Sequence, residues 1–375
     1  MSHASDVLIA GAGIVGSACA LACVRRGLRV AIVESSGIGA GATAAGMGHI
    51  VAMDDSPAQL ALTNYSQQLW RDLSATLPPS VEYDPCGTLW VASDDEEMRE
   101  VERKSKVYGA AGLLTEILDS RALANAEPNL RRPLAGALLV PSDAVLYPPC
   151  AAAFLMAQAQ QLGAQLFSPR KVISAAAGKA QLDDGSEIHA AHIVIATGAD
   201  AVALIAQLPI RKRKGHLAIT DRYPGYVRHQ LVELGYLKSA HATTADSVAF
   251  NVQPRRTGQI LIGSSRQFNA ETPEVDHPNL AAMIHRAQSY LPDIGSLSTI
   301  RIWTGFRAAT PDKLPLIGPW LSDPSLILAT GHEGLGITTS LATAQLVADH
   351  ICSRASAIPI DPYLPARFAK VAAHV

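Results

Sequence analysis

The segment Gly11-Ala-Gly13-Ile-Val-Gly16 constrains this chain more than any other, because of what flanks it. It follows Val7-Leu-Ile-Ala10, an apolar run too short for a helix, which predicts a buried parallel strand. Ile14 to Arg26 reads as a helix stopped by Gly27, and Leu28-Arg-Val-Ala-Ile-Val33 as a second strand ending at Glu34. This is one strand–helix–strand unit with GxGxxG at its first turn. The three glycines do different things. Gly11 permits the tight turn, Gly13 lets a pyrophosphate reach the backbone, and Gly16 lets helix and strand pack closely. The helix start at Ile14 and Val15 offers unpaired N–H groups and a positive dipole end to phosphate. Glu34, with Ser35 beside it, lies 18 residues past Gly16 and is placed to accept from ribose hydroxyls. A carboxylate there disfavours a 2′-phosphate, which argues against NADP.

Val7 to Val24 is also an 18-residue stretch without a charge, long enough to suggest a membrane span. The ordered glycines, and Asp6 in place of a basic leader, favour a buried strand feeding a buried helix. Hydrophobic residues make up 48% of the 375, charged residues 17%, and the net charge is −2. That balance excludes a disordered chain and provides no basic field for nucleic acid. The one basic run, Arg211-Lys-Arg-Lys214, is too short to alter this, so no nucleic-acid partner is expected. Cys19 and Cys23, one helical turn apart among apolar residues, read as core thiols, and a reducing compartment is expected. No CxxC pair or HExxH occurs, so no metal site is expected.

The dinucleotide motif alone does not separate NAD from FAD. Ile38 to Ile50 directly follows the second strand, and its small residues let backbone press against a flat or phosphate-bearing ligand. Ile188 to Ile195 reads as another strand, running into Ala196-Thr-Gly-Ala-Asp200. Ser247 to Gln253 and Gln259 to Gly263 read as strands joined at Arg256-Thr-Gly258. Leu326 to Ala329 is a final strand before Thr330-Gly-His-Glu-Gly-Leu-Gly-Ile-Thr-Thr339 and a helix to about Ile351.

Gly41-Ala-Thr-Ala-Ala-Gly-Met47 resembles the flavin loop of the D-amino acid oxidase-like family of FAD-dependent amine oxidoreductases. The resemblance continues through Cys86-Gly-Thr-Leu89, Ala126-Glu-Pro-Asn-Leu130, Asp143-Ala-Val-Leu-Tyr-Pro148, Ala196 to Asp200 and Ile302 to Gly318, covering residues 6 to about 351. It implies an α/β fold, with a two-layer, doubly wound, Rossmann-like FAD-binding domain of residues 1–50, 140–212 and 300–375. An antiparallel α+β substrate domain of residues 51–139 and 213–299 interrupts it. FAD is expected to be non-covalent: related flavin-tethering enzymes use a cysteine just after the arginine motif, and residues 303–340 contain none. By resemblance, Gly41, Ala42, Thr43, Ala45, Gly46 and Met47 face FAD from the loop. Val172 meets the adenine side through its backbone, and Thr197 and Gly198 approach the pyrophosphate. Gly331, His332, Gly334, Leu335, Gly336, Ile337 and Thr338 lie at the last helix, whose N–H groups would stabilise reduced flavin.

The implied reaction is hydride transfer from an amino-acid Cα to flavin N5, giving an imine. Arg307 matches the family's carboxylate-binding arginine, whose planar fork pairs both oxygens. Asn251 stands where glycine oxidase-like members carry a carboxylate-holding tyrosine, which implies either a different substrate shape or a solvent-facing residue. His49 is a further substrate candidate, toward a ring hydroxyl, and His332 is either ligand-facing or structurally satisfied. Ala44 to Asp55 and Gly331 to Thr338 look most like bacterial cis-4-hydroxy-D-proline dehydrogenases, which implies cis-4-hydroxy-D-proline or D-proline as the small amino-acid substrate. Similar texture in the flavin subunits of opine oxidases and hydrogen cyanide synthase gives two alternatives. One is a subunit acting on an opine or glycine; the other is an FAD-carrying structural subunit whose partner holds the catalytic site. Electrons would pass to oxygen, a partner subunit or a respiratory-chain acceptor. The implied location is cytoplasmic, with room for peripheral contact with the inner membrane.

Overall fold

The computed structural model describes residues 3–235 and 246–368; the parts of the expected domain ranges at 1–2, 236–245 and 369–375 lie outside the described residues. The first unit is β1 (His3–Ala10), α1 (Ile14–Arg25) and β2 (Val30–Val33). There follow β3 (His49–Ile50), α2 (Pro57–Ser74), β4 (Thr88–Ala92), α3 (Asp95–Ala110), β5 (Glu116–Asp119), α4 (Ser120–Ala126), β6 (Gly136–Val140) and β7 (Ala144–Val145). Next come α5 (Pro148–Gln161), β8 (Gln165–Phe167), β9 (Val172–Ala176), β10 (Lys179–Leu182) and β11 (Glu187–Ile195). The remainder is β12 (Arg211–Arg222), β13 (Gln230–Glu233), β14 (Ser247–Pro254), β15 (Gln259–Arg266), α6 (His277–Gln288), β16 (Thr299–Ala309), β17 (Leu316–Trp320), β18 (Asp323–Thr330) and α7 (Gly336–Ile351).

A first sheet runs β17-β18-β11-β1-β2-β8, parallel from β18 to β8. Side chains alternate across it. Val7, Ile9, Val30 and Ile32 join α1, α5 and α7 in one core, while Leu8, Ala10, Ala31 and Val33 pack with β9 and β10 in another. Helices thus cover one face and an antiparallel hairpin the other. α1 is buried nearly all round, Cys19 and Cys23 included, which explains its uncharged sequence. No helix among the described residues is long and apolar enough to cross a membrane.

A second sheet runs β16-β12-β15-β14-β13-β4-β6-β5, antiparallel except for the β13–β4 pair. Leu89, Leu231, Phe250 and Ile262 pack with α6 on one face. Trp90, Val232 and Leu138 lie on the opposite face with Val101 and Tyr108 of α3.

Three segments sit differently from the expected division, residues 211–212 at the start of β12 among them. β16 pairs along its length with β12, so residues 300–309 belong to the second sheet. α2 carries Leu62 and Trp70 into the helical core of the first sheet, because its apolar stripe meets α7. The basic run opens strand β12: Arg213 and Lys214 are buried, while Arg211 and Lys212 are exposed and Lys212 pairs with Asp200 at 2.8 Å.

Candidate active site

Between the two sheets lies a cleft of about 820 Å³, within the size range of cofactor sites. At one end β1 turns into α1. Gly11 has φ +100°, and a Cβ there would come 2.7 Å from the Ala196 carbonyl. Gly16 does not line the cleft: a Cβ on it would lie 1.9 Å from the Gly11 carbonyl, so its work is helix-to-strand packing. α1 begins without a side-chain cap from Gly13, and the Ile14 N–H donates to Thr43 Oγ1 at 3.0 Å. Gly13, Ile14, Val15, Glu34, Ser35, Val172, Thr197 and Gly198 line this end, with Arg170 and Lys171, which the motifs did not single out. Glu34 is held rigidly, accepting from the Ala12 and Ser36 N–H groups, each at 2.7 Å.

The loop at 41–47 crosses onto the second sheet at two of its glycines, and Gln253 and Trp303 of that sheet donate to the Met47 and Ala45 carbonyls. A Cβ on Gly305 would lie 2.3 Å from the Ala45 Cβ, and one on Gly263 2.8 Å from the Met47 sulfur. Gly41, Ala42, Thr43, Ala45, Gly46 and Met47 all line the cleft. So do Gly331, His332, Gly334, Leu335, Gly336 and Ile337 ahead of and within α7, whose start also lacks a side-chain cap. Thr338 does not: it is buried and donates to the His49 carbonyl at 2.8 Å, tying β3 to α7. His332 Nε2 meets Thr343 Oγ1 at 3.0 Å, and burial pushes its imidazole down to about 4, so one ring nitrogen is structural and the ring is neutral. Two helix starts whose own N-cap residues supply no side-chain cap, the buried Glu34 carboxylate and glycine-lined walls fit a dinucleotide carrying a flat ring system, as FAD does.

The other end is cationic. Arg307 on β16 stands across from Arg213 on β12, which is ion-paired with Glu333. Arg307 Nη1 donates to the Ser265 carbonyl at 3.0 Å, and its guanidinium fills the space a Cβ on Gly215 would occupy. Burial and Arg213 lower its pKa while Glu333 opposes them, and Arg266 beside it is pushed down to about 10. Both stay charged at neutral pH. His49 Nε2 lies 3.3 Å from the Gly334 carbonyl, and burial pushes it down to about 4, so it is neutral there. Asn251 does not face solvent; it is 8% exposed and lines the cleft. Trp90, Gln59, Gln230, Arg266 and Glu333 join them. They are scattered over five elements and loops, and only Glu333, inside the glycine-rich run, carried a local signal. Among the described residues no His, Cys, Asp and Glu group could hold a metal.

Comparison with known proteins gives the family and the fold. The family described as "FAD dependent oxidoreductase" (DAO) matches residues 6–350. Glycine oxidase from Geobacillus kaustophilus is 28% identical over 375 residues, 97% of each chain. Hydrogen cyanide synthase subunit HcnC from Pseudomonas aeruginosa is 26% identical over 98% of this chain and 97% of that one. The crystal structure of the Geobacillus glycine oxidase superposes with a TM-score of 0.87 at 26% identity, covering 98% of this chain and 99% of that one. That of L-proline dehydrogenase from P. horikoshii, at 23% identity, shares the fold with a TM-score of 0.89, covering 99% of each.

Proposed function

The chain belongs to the DAO family of FAD-dependent oxidoreductases, and from that premise we propose that it oxidises a D-amino acid, cis-4-hydroxy-D-proline or D-proline, beside Arg307. The observation that carries this reading is the arginine: a guanidinium fixed by a backbone carbonyl, on the strand that also supports the flavin loop, at the far end of a dinucleotide-sized cleft. Bound FAD would supply the hydride acceptor at flavin N5. Arg307 would pair the substrate carboxylate and so orient Cα. His49, being neutral, would not compete for that carboxylate, and it leaves the amine free to bind uncharged. Met47, Leu217 and Val232 would exclude water from the reacting end.

FAD would be held without a tether, since no cysteine lines the cleft. Acid precipitation should leave all flavin in the supernatant. The substrate test is a screen of D- and L-amino acids against the holoenzyme, with an artificial acceptor run beside oxygen. Turnover of D-proline analogues is expected; turnover of glycine or L-amino acids alone would overturn the reading. The five cysteines are free thiols, which supports a cytoplasmic location. A peripheral contact with the inner membrane would bring the chain to a respiratory acceptor.

A second reading, a flavin-carrying subunit of a heteromer acting on an opine or glycine, is favoured by Ile300 and Ile302. They stand exposed on the same face of edge strand β16. Full turnover of a D-proline analogue by the purified single chain would count against it.

A further inference from the structure

We propose that Trp90, Gln230 and Asn251 form a specificity subsite that takes a neutral hydrogen-bonding group, a hydroxyl, on the side chain of the substrate. This rests on the reading that Arg307 takes the carboxylate. The starting observation is polar atoms without partners. Trp90 Nε1, Gln230 Oε1 and Asn251 Oδ1 are all buried and none has a hydrogen-bond partner among the described residues. Their side chains are 1%, 2% and 8% exposed, and all three residues line the cleft. A buried polar group left unpaired is costly, so three on one wall call for a common ligand.

The sheet register places them together. Trp90 is the cross-strand neighbour of Val232, and Val232 that of Asn251. Trp90 and Asn251 therefore flank Val232 on one face, two strand spacings or roughly 10 Å apart at the backbone. Gln230, two residues before Val232 on β13, points to that same face. A small ring or short side chain spans such a gap.

The chemistry of the three atoms selects the ligand. The indole N–H can only donate, and the two amides present acceptors. A hydroxyl meets both kinds at once, donating its one hydrogen to one of the two amide carbonyls and accepting from the indole, so it pairs two of the three atoms. A methylene in its place leaves all three unpaired, and a carboxylate meets two like-charged oxygen dipoles. The indole is also fixed in place: Lys104 Nζ lies 4.2 Å from the Trp90 ring centroid, and Lys104 is itself buried and ion-paired with Asp54.

The test uses the FAD-loaded enzyme and two substrate pairs, cis-4-hydroxy-D-proline with D-proline and D-serine with D-alanine. The hydroxylated member of at least one pair should be preferred by about tenfold to a hundredfold in kcat/KM. Trp90→Phe keeps the ring but removes the N–H, and Asn251→Leu keeps the volume but removes the amide. Each should bring the ratio to within about threefold of one while FAD content and Tm stay near wild type. Gln230→Met is the third variant, and a variant that misfolds leaves the other two to decide. A wild-type ratio near one for both pairs, or a preference that survives both Trp90→Phe and Asn251→Leu, overturns the proposal. Calorimetric dissociation constants for the same pairs keep the two readings apart. If no D-amino acid is turned over, the proposed reaction fails, while the ratio of dissociation constants still supports or overturns the subsite.

Discussion

Arg213 and Arg307 are direct cross-strand partners in the β12–β16 pair, and they coexist because each has its own acceptor. Glu333 closes the ion pair with Arg213, and Arg307 donates to the Ser265 carbonyl. Like charges directly opposite on a sheet are destabilising, so Glu333 stabilises the fold as well as shaping the site. It holds a left-handed φ of +49° just ahead of α7, so one residue links the last helix to the second sheet.

Glu333→Gln should therefore destabilise the holoenzyme. Both partners are mostly buried, and removing one leaves Arg213 uncompensated, at a cost of about 3–5 kcal/mol. Urea denaturation with FAD in excess measures it. A loss below about 1 kcal/mol would show that Arg213 finds another acceptor.

Arg307→Ala should lower kcat/KM for a D-amino acid by on the order of a hundredfold or more. Arg307→Lys keeps the charge but not the fork and should fall in between. FAD content should remain normal in both variants. Wild-type kcat/KM in flavin-replete Arg307→Ala would mean that the carboxylate binds elsewhere.

Glu34→Ala should weaken FAD binding by on the order of tenfold to a hundredfold, because hydrogen bonds to a charged acceptor contribute about 1.5–3 kcal/mol each. It also frees the Ala12 and Ser36 N–H groups, so the turn before α1 loosens. Fluorescence of flavin released on dilution reads the effect, with far-UV circular dichroism as the check on folding. Unchanged occupancy would remove Glu34 from the ribose site.

Asp143 gives a pH prediction. Its carboxyl is buried, accepts from Gln67 Nε2 at 2.7 Å and from the Ala52 N–H at 3.1 Å, and is pushed up to about 7 by burial. The folded state thus holds its proton more tightly than the unfolded chain, where the value is near 4. The stability this contributes is full below about pH 4 and is lost as pH rises to about 7, up to about 4 kcal/mol in all. Asp143→Asn keeps an acceptor and removes the ionisation, so its Tm relative to wild type should climb between pH 4 and pH 8. A difference that stays flat across that range would place the titration elsewhere.

Much of the cofactor end was legible in the sequence because it is local. Gly11, Gly13, Glu34 and the loop at 41–47 fall within one stretch whose spacing already implies the strand–helix–strand turn. Even there the residues divided once folded: Gly16 turned inward against the Gly11 carbonyl, and Thr338 turned to the His49 carbonyl. A motif specifies where backbone must come close, not which side chains meet the ligand.

At the cationic end of the cleft the sequence singled out Arg307, His49, Asn251 and His332 as candidates, Asn251 only as a departure from a pattern, and all four line the cleft. Trp90, Gln230 and Asn251 are 140 and 21 residues apart in sequence. They share a wall because β4, β13 and β14 are neighbours in one sheet. By itself the sequence determined the dinucleotide unit, the flavin-type loop and the arginine, since short-range periodicity and glycine placement set these. Tertiary structure alone decided which polar atoms are left without partners, which arginine Glu333 neutralises, and that Arg213 and Lys214 of a basic run are buried in a strand. Those outcomes depend on strand order and register, and strand order is fixed by packing between segments far apart in the chain.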